Sequence, residues 1–172
     1  MTRPGLVVAG LDRLSVTDWP GRRVATVLTQ GCPWRCGYCH HPGLCAVAAL
    51  GGPPPQDTVP WSEVVAFLAP RRRLLDGVVF SGGEPTLHPG LLGAIDDVRG
   101  LGLDVGLHTA GPWPARLARL LPFVDWVGLD IKHLPSRYPV VTGTIPSGRR
   151  AFEALAVILR SGVDHEVRTT VD

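Results

Sequence analysis

The sequence has no long apolar run. No stretch of the 172 residues approaches the roughly 18 consecutive apolar residues that a membrane-spanning helix needs. The opening Met1-Thr-Arg-Pro4 is not followed by an apolar core of the kind found in signal peptides. We therefore expect neither a membrane span nor a signal peptide, and the cytoplasm is the predicted location.

An excess of one charge sign is also lacking. Lysine and arginine total 17, aspartate and glutamate total 15, and the formal net charge is +2. So small a net charge does not indicate nucleic acid or an anionic membrane as a partner. Hydrophobic residues make up 45% of the chain, enough to bury a core, and the length predicts a single domain over residues 1–172.

Cysteine is scarce: the chain has four, and three of them lie within eight residues. With no signal peptide expected, metal or cluster binding is a better interpretation than two disulfides. The three are Cys32, Cys36 and Cys39, spaced Cys-x3-Cys-x2-Cys. Cys45 is the remainder. We expect a partly buried or idle thiol there, because free cysteine is among the most buried residue types.

The cysteine triplet predicts a reactive iron–sulfur cluster. Such clusters are held by cysteine thiolates, and three thiolates hold three corners of a four-iron cube. The fourth iron then stays open to a substrate or cofactor, unlike the irons of an electron-transfer cluster with four protein ligands. A structural zinc site, with His40 or His41 as the fourth ligand, is the alternative that the triplet leaves open.

Short apolar, β-branched runs alternate with segments of helical periodicity. Strands are predicted over residues 24–29, 77–81, 103–108, 124–130 and 166–171, and helices over 61–75, 91–101, 114–121 and 148–161. Pro70 should kink or split the first helix, and the Gly- and Pro-rich residues 43–60 should form a loop. Ser147 should cap the last helix. The predicted apolar face of that helix comprises Phe152, Leu155, Ala156, Ile158 and Leu159.

Alternating strands and helices predict a parallel α/β sheet, and in (β/α) barrels the active site lies at the carboxyl ends of the strands. The chemically suggestive motifs fall at or just after predicted strands. They are the cysteine loop, Gly82-Gly-Glu-Pro85, His108-Thr-Ala-Gly111, Asp130-Ile-Lys132 and Arg168. The chain ends in the fifth predicted strand, whereas a further unit would need on the order of 30 residues. We therefore expect a barrel that is either truncated or unusually open.

Taken together, the motifs resemble the activating proteins of anaerobic ribonucleoside-triphosphate reductase, which are radical S-adenosylmethionine (SAM) enzymes of the glycyl-radical activase group. The resemblance runs from about Ser15 to the last residue. Beyond the cysteines it rests on Asp18-Trp-Pro-Gly21, Tyr38-Cys-His-His-Pro42, Ser81-Gly-Gly-Glu-Pro-Thr86, Asp130-Ile-Lys132, Val141-Thr-Gly143 and Glu166-Val-Arg-Thr-Thr170. It implies a partial (β/α)6-type barrel, here truncated after the fifth strand. The chain has too few cysteines for the ferredoxin-like insert of some activases, which favours the compact reductase-activating type.

The resemblance implies a reaction and its partners. A [4Fe-4S] cluster would reductively cleave SAM to methionine and a 5′-deoxyadenosyl radical, which would remove a hydrogen from a glycine of the reductase. An electron donor such as flavodoxin or ferredoxin is implied, and no catalytic side chain beyond the cluster and SAM. Two alternatives stay open: a small-molecule radical SAM enzyme similar to 7-carboxy-7-deazaguanine synthase, and a non-catalytic cluster- or zinc-binding module.

By the same resemblance, several residues are expected to contact SAM. Tyr38 would lie near the adenine, and the Gly82-Gly83 turn near the methionine amino group. Lys132 and Arg168 would meet the carboxylate, Arg168 bidentately. Glu84 would touch SAM or orient the glycine turn.

The sequence departs from the activase pattern after the third predicted strand. Related activases usually show Asp-Thr-Asn-Gly where this chain has His108-Thr-Ala-Gly111. Thr109 is retained as an expected cofactor contact. If the replaced aspartate helps to hold a monovalent cation near SAM, that cation site is in question, because Asp130 would be the carboxylate left to hold it.

Overall fold

The computed structural model describes residues 5–45 and 57–170. Its centre is a six-stranded sheet in which the spatial order of the strands follows the chain, β1 to β6. The strands are β1 Val8–Ser15, β2 Val24–Thr29, β3 Gly77–Gly82, β4 Asp104–Thr109, β5 Trp126–Asp130 and β6 Asp164–Arg168. The helices are α1 Trp61–Leu68, α2 Leu91–Gly100, α3 Pro114–Leu120, α4 Tyr138–Thr142 and α5 Ser147–Ser161.

Strands β2 to β6 pair in parallel, each with the next along the chain. The prediction of a parallel α/β sheet and a partial barrel is confirmed. Over the described residues the sheet is open, with β1 and β6 at its edges. Because the five parallel strands run in one direction, their carboxyl ends meet at one edge of the sheet.

Strands β2 to β5 were recognisable because their side chains are buried on both faces. Val27 of β2 and Phe80 of β3 are fully buried, as are Val105 of β4 and Val127 of β5. Such strands are continuous apolar runs. Burying a side chain of the size of Phe80 contributes roughly 2–3 kcal/mol, so these four positions anchor the core.

Strand β1 was not predicted from the sequence; it is antiparallel to β2 and has two irregularities in its register. Only Val8 and Ser15, at its two ends, are buried. An edge strand with solvent on one side lacks the apolar run that identifies a buried parallel strand. The short helix α4 was missed too, because five residues are too few to show a helical period.

The first helix ends where Pro70 predicts. α1 stops at Leu68, and Ala69–Arg71 continues as a single 3-10 turn. Proline lacks the N–H that would continue the helical ladder, so the predicted span to residue 75 is divided as expected. The loop predicted over residues 43–60 falls mostly outside the described residues. Its start belongs to the 3-10 turn Pro42–Cys45.

Of the two predictions about α5, the cap was wrong, and the apolar face was right at Ile158 and Leu155 but wrong at Phe152 and Leu159. Ser147 is not the cap but the first helical residue, and its buried hydroxyl donates to the Thr144 carbonyl at 2.6 Å. The buried face comprises Ala151, Ala154 and Ile158, whereas Phe152 and Leu159 are 36% and 58% exposed. A Cβ added at Gly111 would lie 2.5 Å from the Ala154 Cβ. The helix therefore packs so closely at Ala154 that only a small residue fits there, whereas the same face buries the larger Ile158.

The last strand is shifted from its predicted position. β6 spans Asp164–Arg168 instead of residues 166–171, and residue 171 lies outside the described residues. Its residues are half-buried or exposed, so pairing with β5 and not an apolar run determines where it starts. Over residues 5–45 and 57–170, the fold includes no helix of the length and apolarity needed to cross a bilayer.

Candidate functional site

A cavity of about 410 Å³ lies at the carboxyl edge of the parallel strands. It brings together the three clustered cysteines and most residues predicted to contact a cofactor. The predicted residues that line the cavity are Cys32, Cys36, Cys39, Tyr38, Gly82, Gly83, Thr109, Asp130, Lys132 and Arg168. Segments 136 residues apart in the chain thus share one surface, since each follows or ends a strand of the same sheet.

The cysteine loop follows β2 directly and is held by backbone hydrogen bonds to two other segments. Glu84 N donates to Gly31 O at 2.8 Å, and Gly83 N donates to Thr29 O at 2.8 Å. From the other side, Arg35 N donates to Thr142 O at 2.9 Å, so α4 also supports the loop. These bonds fix the loop between the β3 turn and α4.

Close backbone packing requires glycine at both positions of the turn after β3, which the sequence did not predict. A Cβ on Gly83 would overlap the carbonyl of Gly31, and one on Gly82 would lie 2.5 Å from Thr29 N. Gly82 also has φ +100, a conformation that only glycine adopts readily. The end of β2 therefore approaches Gly82 and the start of the cysteine loop approaches Gly83, while both glycines line the cavity.

The four cysteines are free and half-buried. Burial raises the pKa of Cys32 to about 12, with a further contribution from the charge of Glu84. Burial also raises the pKa of Cys36, although the nearby Lys132 opposes this shift. Thiols of this kind need a bound metal to hold them as thiolates. Over the described residues, no three His, Cys, Asp or Glu side chains form a group that could hold a metal ion.

One carboxylate holds both predicted cations. Lys132 Nζ donates to Asp130 Oδ2 at 2.9 Å, and Arg168 Nε lies 3.3 Å from Asp130 Oδ1. The second contact is an ion pair without the angle of a hydrogen bond, since Arg168 Nε has no hydrogen-bond partner in the described structure. Burial works to lower the pKa of Lys132, but Asp130 outweighs it and the pKa is raised. Two cations on one anion leave a positive charge facing the cavity.

Tyr38 lies beside this group. Its hydroxyl donates to the Lys132 carbonyl at 3.3 Å, and Lys132 Nζ is 6.0 Å from the centre of its ring. Lys132 N in turn donates to the hydroxyl of Tyr138 at 2.8 Å. The ring is thereby held against the cationic side of the cavity.

Glu84 differs from the prediction: its side chain does not line the cavity and is only 1% exposed. Its carboxylate accepts from the Thr86 hydroxyl at 2.5 Å, the Thr109 hydroxyl at 2.7 Å and Ala110 N at 3.0 Å. Burial raises the pKa of Glu84, and these hydrogen bonds counteract the rise. This geometry favours the alternative prediction, in which Glu84 orients the glycine turn, here by tying it to the end of β4.

Sequence reasoning also missed several residues that line the cavity. His108 Nε2 lies 2.7 Å from Asp18 O, and its Nδ1 lies 3.1 Å from the Ser81 hydroxyl. A carbonyl only accepts, so Nε2 carries the proton. Burial, with Arg168 nearby, lowers the pKa of His108, which favours the neutral ring and makes Nδ1 an acceptor for Ser81. Ser81, His108 and Thr169 lie at or next to the carboxyl ends of strands, which was the signal that could have identified them. Not predicted to line it were Asp18, Trp34, Cys45, Ser81, His108, Ala110, Thr169 and Thr170, while His40 and His41 were predicted only as alternative zinc ligands.

The chain is similar in sequence to one protein family and to two enzymes of known name. The sequence model of the radical SAM superfamily, a family that uses a [4Fe-4S] cluster and SAM, matches residues 26–171. The pyruvate formate-lyase-activating enzyme of Clostridium pasteurianum is 32% identical over 148 residues, 85% of this chain and 60% of that protein. Its counterpart in Staphylococcus aureus (strain USA300) is 30% identical over 136 residues, 72% of this chain and 52% of that protein. The chain thus spans a little over half the length of these relatives.

Solved structures share the fold. QueE from Escherichia coli superposes with a TM-score of 0.56 at 16% identity, covering 97% of this chain and 85% of that one. A structure of anSMEcpe with bound AdoMet superposes with a TM-score of 0.60 at 16% identity, covering 80% of this chain and 41% of that one. At such identities the likeness concerns the fold alone.

Proposed function

The chain belongs to the radical SAM superfamily, and from this premise we propose that it activates a glycyl-radical enzyme. The observation that carries the proposal is the single cavity that three thiols share with a net positive group, at the carboxyl edge of a parallel sheet. Bound there, the cluster and SAM would supply the reductive cleavage of SAM. The chain's own residues would bind, orient and shield them.

Cys32, Cys36 and Cys39 are the proposed cluster ligands. Zinc lies about 2.3 Å from each of its thiolates and draws them to one point. A cubane distributes its ligands over separate irons, which suits three thiols arranged around a cavity of about 410 Å³. The donor set therefore fits a cluster with one open iron better than it fits zinc.

The proposed SAM contacts divide the cavity by chemistry. Lys132 and Arg168 offer their charge to the carboxylate of SAM, and Tyr38 offers a ring face to its adenine. The backbone at Gly82 and Gly83 is open on the cavity side and would meet the methionine amino group. Thr109 lines the same wall, although its hydroxyl already donates to Glu84 at 2.7 Å.

Asp130 has a different proposed role. Its carboxylate already pairs with both cations, so we propose that it positions Lys132 and Arg168. A monovalent cation at Asp130 is correspondingly less favoured, because these two cations occupy the carboxylate.

We propose anaerobic ribonucleoside-triphosphate reductase as the partner, on the strength of the motifs shared with its activating proteins. Pyruvate formate-lyase is the second candidate, since the relatives at 30–32% identity are its activating enzymes. In either case a flavodoxin or ferredoxin would donate the electron. The cytoplasm stays the predicted location.

Both candidates can be compared in one experiment. The protein is reconstituted anaerobically, checked for about four irons and four sulfides per chain, and mixed with SAM, a strong reductant and one purified glycyl-radical enzyme at a time. A doublet in the electron paramagnetic resonance spectrum of the reductase, absent with pyruvate formate-lyase, is the expected result. Cys36→Ala is the matched control and should lose both the iron and the signal.

The alternatives predict other outcomes of the same experiment. Radical formation on pyruvate formate-lyase alone would select the second partner. SAM cleavage without a radical on either enzyme would favour a small-molecule substrate. Stoichiometric zinc without sulfide would reject the cluster.

A further inference from the structure

A fourth thiol lies beside the cysteine triplet. Cys45 Sγ is 3.7 Å from Cys39 Sγ, and both side chains are half-buried and line the cavity. The sequence predicted a partly buried or idle thiol at Cys45, and the side chain is partly buried. The contact also pairs it with one of the three proposed cluster ligands.

Local structure holds Cys45 in this position. Leu44 N donates to His41 O at 2.9 Å and closes the 3-10 turn Pro42–Cys45. Gly31 N then donates to Leu44 O at 2.7 Å, which ties this turn to the start of the cysteine loop. On the other side, Cys39 N donates to Cys36 O at 3.1 Å. Two hydrogen-bonded turns therefore present the two sulfurs to each other.

We propose that Cys39 and Cys45 form a reversible disulfide in the cluster-free protein, and that this disulfide blocks cluster assembly. Sulfurs in a disulfide are about 2.05 Å apart, so rotation of the two side chains has to bring them together from 3.7 Å. A thiolate is the cluster ligand, and a sulfur in a disulfide cannot serve as one. The blocking step rests on the proposed function, because it takes Cys39 to be a cluster ligand.

The oxidant is a low-molecular-weight disulfide, which reaches the pair through the open cavity. One cysteine sulfur attacks it, forms a mixed disulfide and releases one small thiol. The second cysteine sulfur then displaces the other half of the small disulfide. The two cysteine sulfurs lose two electrons and two protons, and one small disulfide becomes two thiols. Dithiothreitol reverses the exchange.

Peptide mapping tests the pairing directly. Cluster-free protein is incubated with oxidised glutathione, alkylated and digested with chymotrypsin, which cleaves after Tyr38 and Leu44. The expected product joins residues 39–44 to the peptide that begins at Cys45, with Cys32 and Cys36 alkylated. An alkylated Cys45, or a Cys45 joined to another cysteine, would overturn the proposal.

Iron uptake tests the consequence. The oxidised protein should lose most of its capacity to take up iron and sulfide, and dithiothreitol should restore it. Cys45→Ser cannot form the disulfide and should take up iron equally well before and after oxidation. Equal loss in Cys45→Ser and the parent would overturn the blocking role. The peptide masses require no iron, so a reduced protein that takes up none would count against the proposed function separately.

Discussion

Asp130 organises the cationic side of the cavity at the scale of single residues. It pairs in register with Arg168 across β5 and β6, and Lys132 follows it by two positions. A shared carboxylate keeps both long side chains in place before any ligand arrives, which lowers the entropic cost of binding. This arrangement predicts that Lys132 and Arg168 together bind the carboxylate of one ligand molecule.

Lys132→Ala and Arg168→Ala should therefore each weaken SAM binding. Each substitution removes a charge-assisted contact of roughly 1.5–3 kcal/mol, which corresponds to a rise in Kd of about 10- to 150-fold. Isothermal titration calorimetry on the cluster-loaded protein measures the change, and the iron content should stay at the parental value. Arg73→Ala, at an exposed position outside the cavity, is the control. If both variants bind SAM with the parental Kd, Lys132 and Arg168 have a structural role and do not contact the SAM carboxylate.

Glu84 is the second residue that matters at this scale, because it is an acid with almost no contact with water. Its folded-state pKa lies above the ordinary value of 4.5. Between these two pKa values the folded chain keeps a proton that the unfolded chain has released. The contribution of Glu84 to stability is thus fully present below about pH 4.5 and declines as the pH rises towards the folded-state pKa.

Comparison with a residue that does not titrate isolates this effect. Glu84→Gln keeps the side chain's size, and the difference in unfolding free energy between parent and variant should shift in favour of the variant as the pH rises above 4.5. Urea unfolding at a series of pH values measures it. The amide of the variant cannot reproduce every hydrogen bond of the carboxylate, which changes the unfolding free energy by the same amount at every pH. The test is therefore how the difference in unfolding free energy changes with pH. Parallel pH profiles would show that Glu84 does not titrate differently in the folded state.

The critical contact between elements is the one between the cysteine loop and the turn after β3. The two backbones approach so closely at Gly83 and Gly31 that no side chain fits between them. Their hydrogen bonds fix the loop that carries all three proposed ligands. Gly83 therefore holds the cysteine loop in place through packing, independently of the proposed SAM contact.

Gly83→Ala should disturb the cysteine loop. Its Cβ would overlap the Gly31 carbonyl, and overpacking of this kind costs typically 1–3 kcal/mol. We expect a lower unfolding free energy in urea and a loss of iron after reconstitution. Gly37→Ala is the matched control, because a Cβ there has no heavy atom within 4 Å and Gly37 does not have a positive φ. Equal iron contents in the two variants would contradict this account of the turn.

For the whole molecule, the order of the strands is what assembles the site. Each parallel strand neighbours the next along the chain, so five carboxyl ends lie side by side. Cysteines near residue 35 and Arg168 can then line one cavity. This placement follows from the direction of the strands, which is why the site's general location was predictable from the sequence.

The sequence by itself determined the features that reside within one segment. The cysteine spacing, the apolar runs of β2 to β5 and the helix-breaking Pro70 each act locally, so their consequences could be predicted. Tertiary structure decided what meets across segments. It directed Glu84 away from the cavity and placed the small Ala154 of α5 against Gly111. These outcomes depend on close approaches between residues far apart in the chain, such as Gly111 and Ala154, and no local period encodes such contacts.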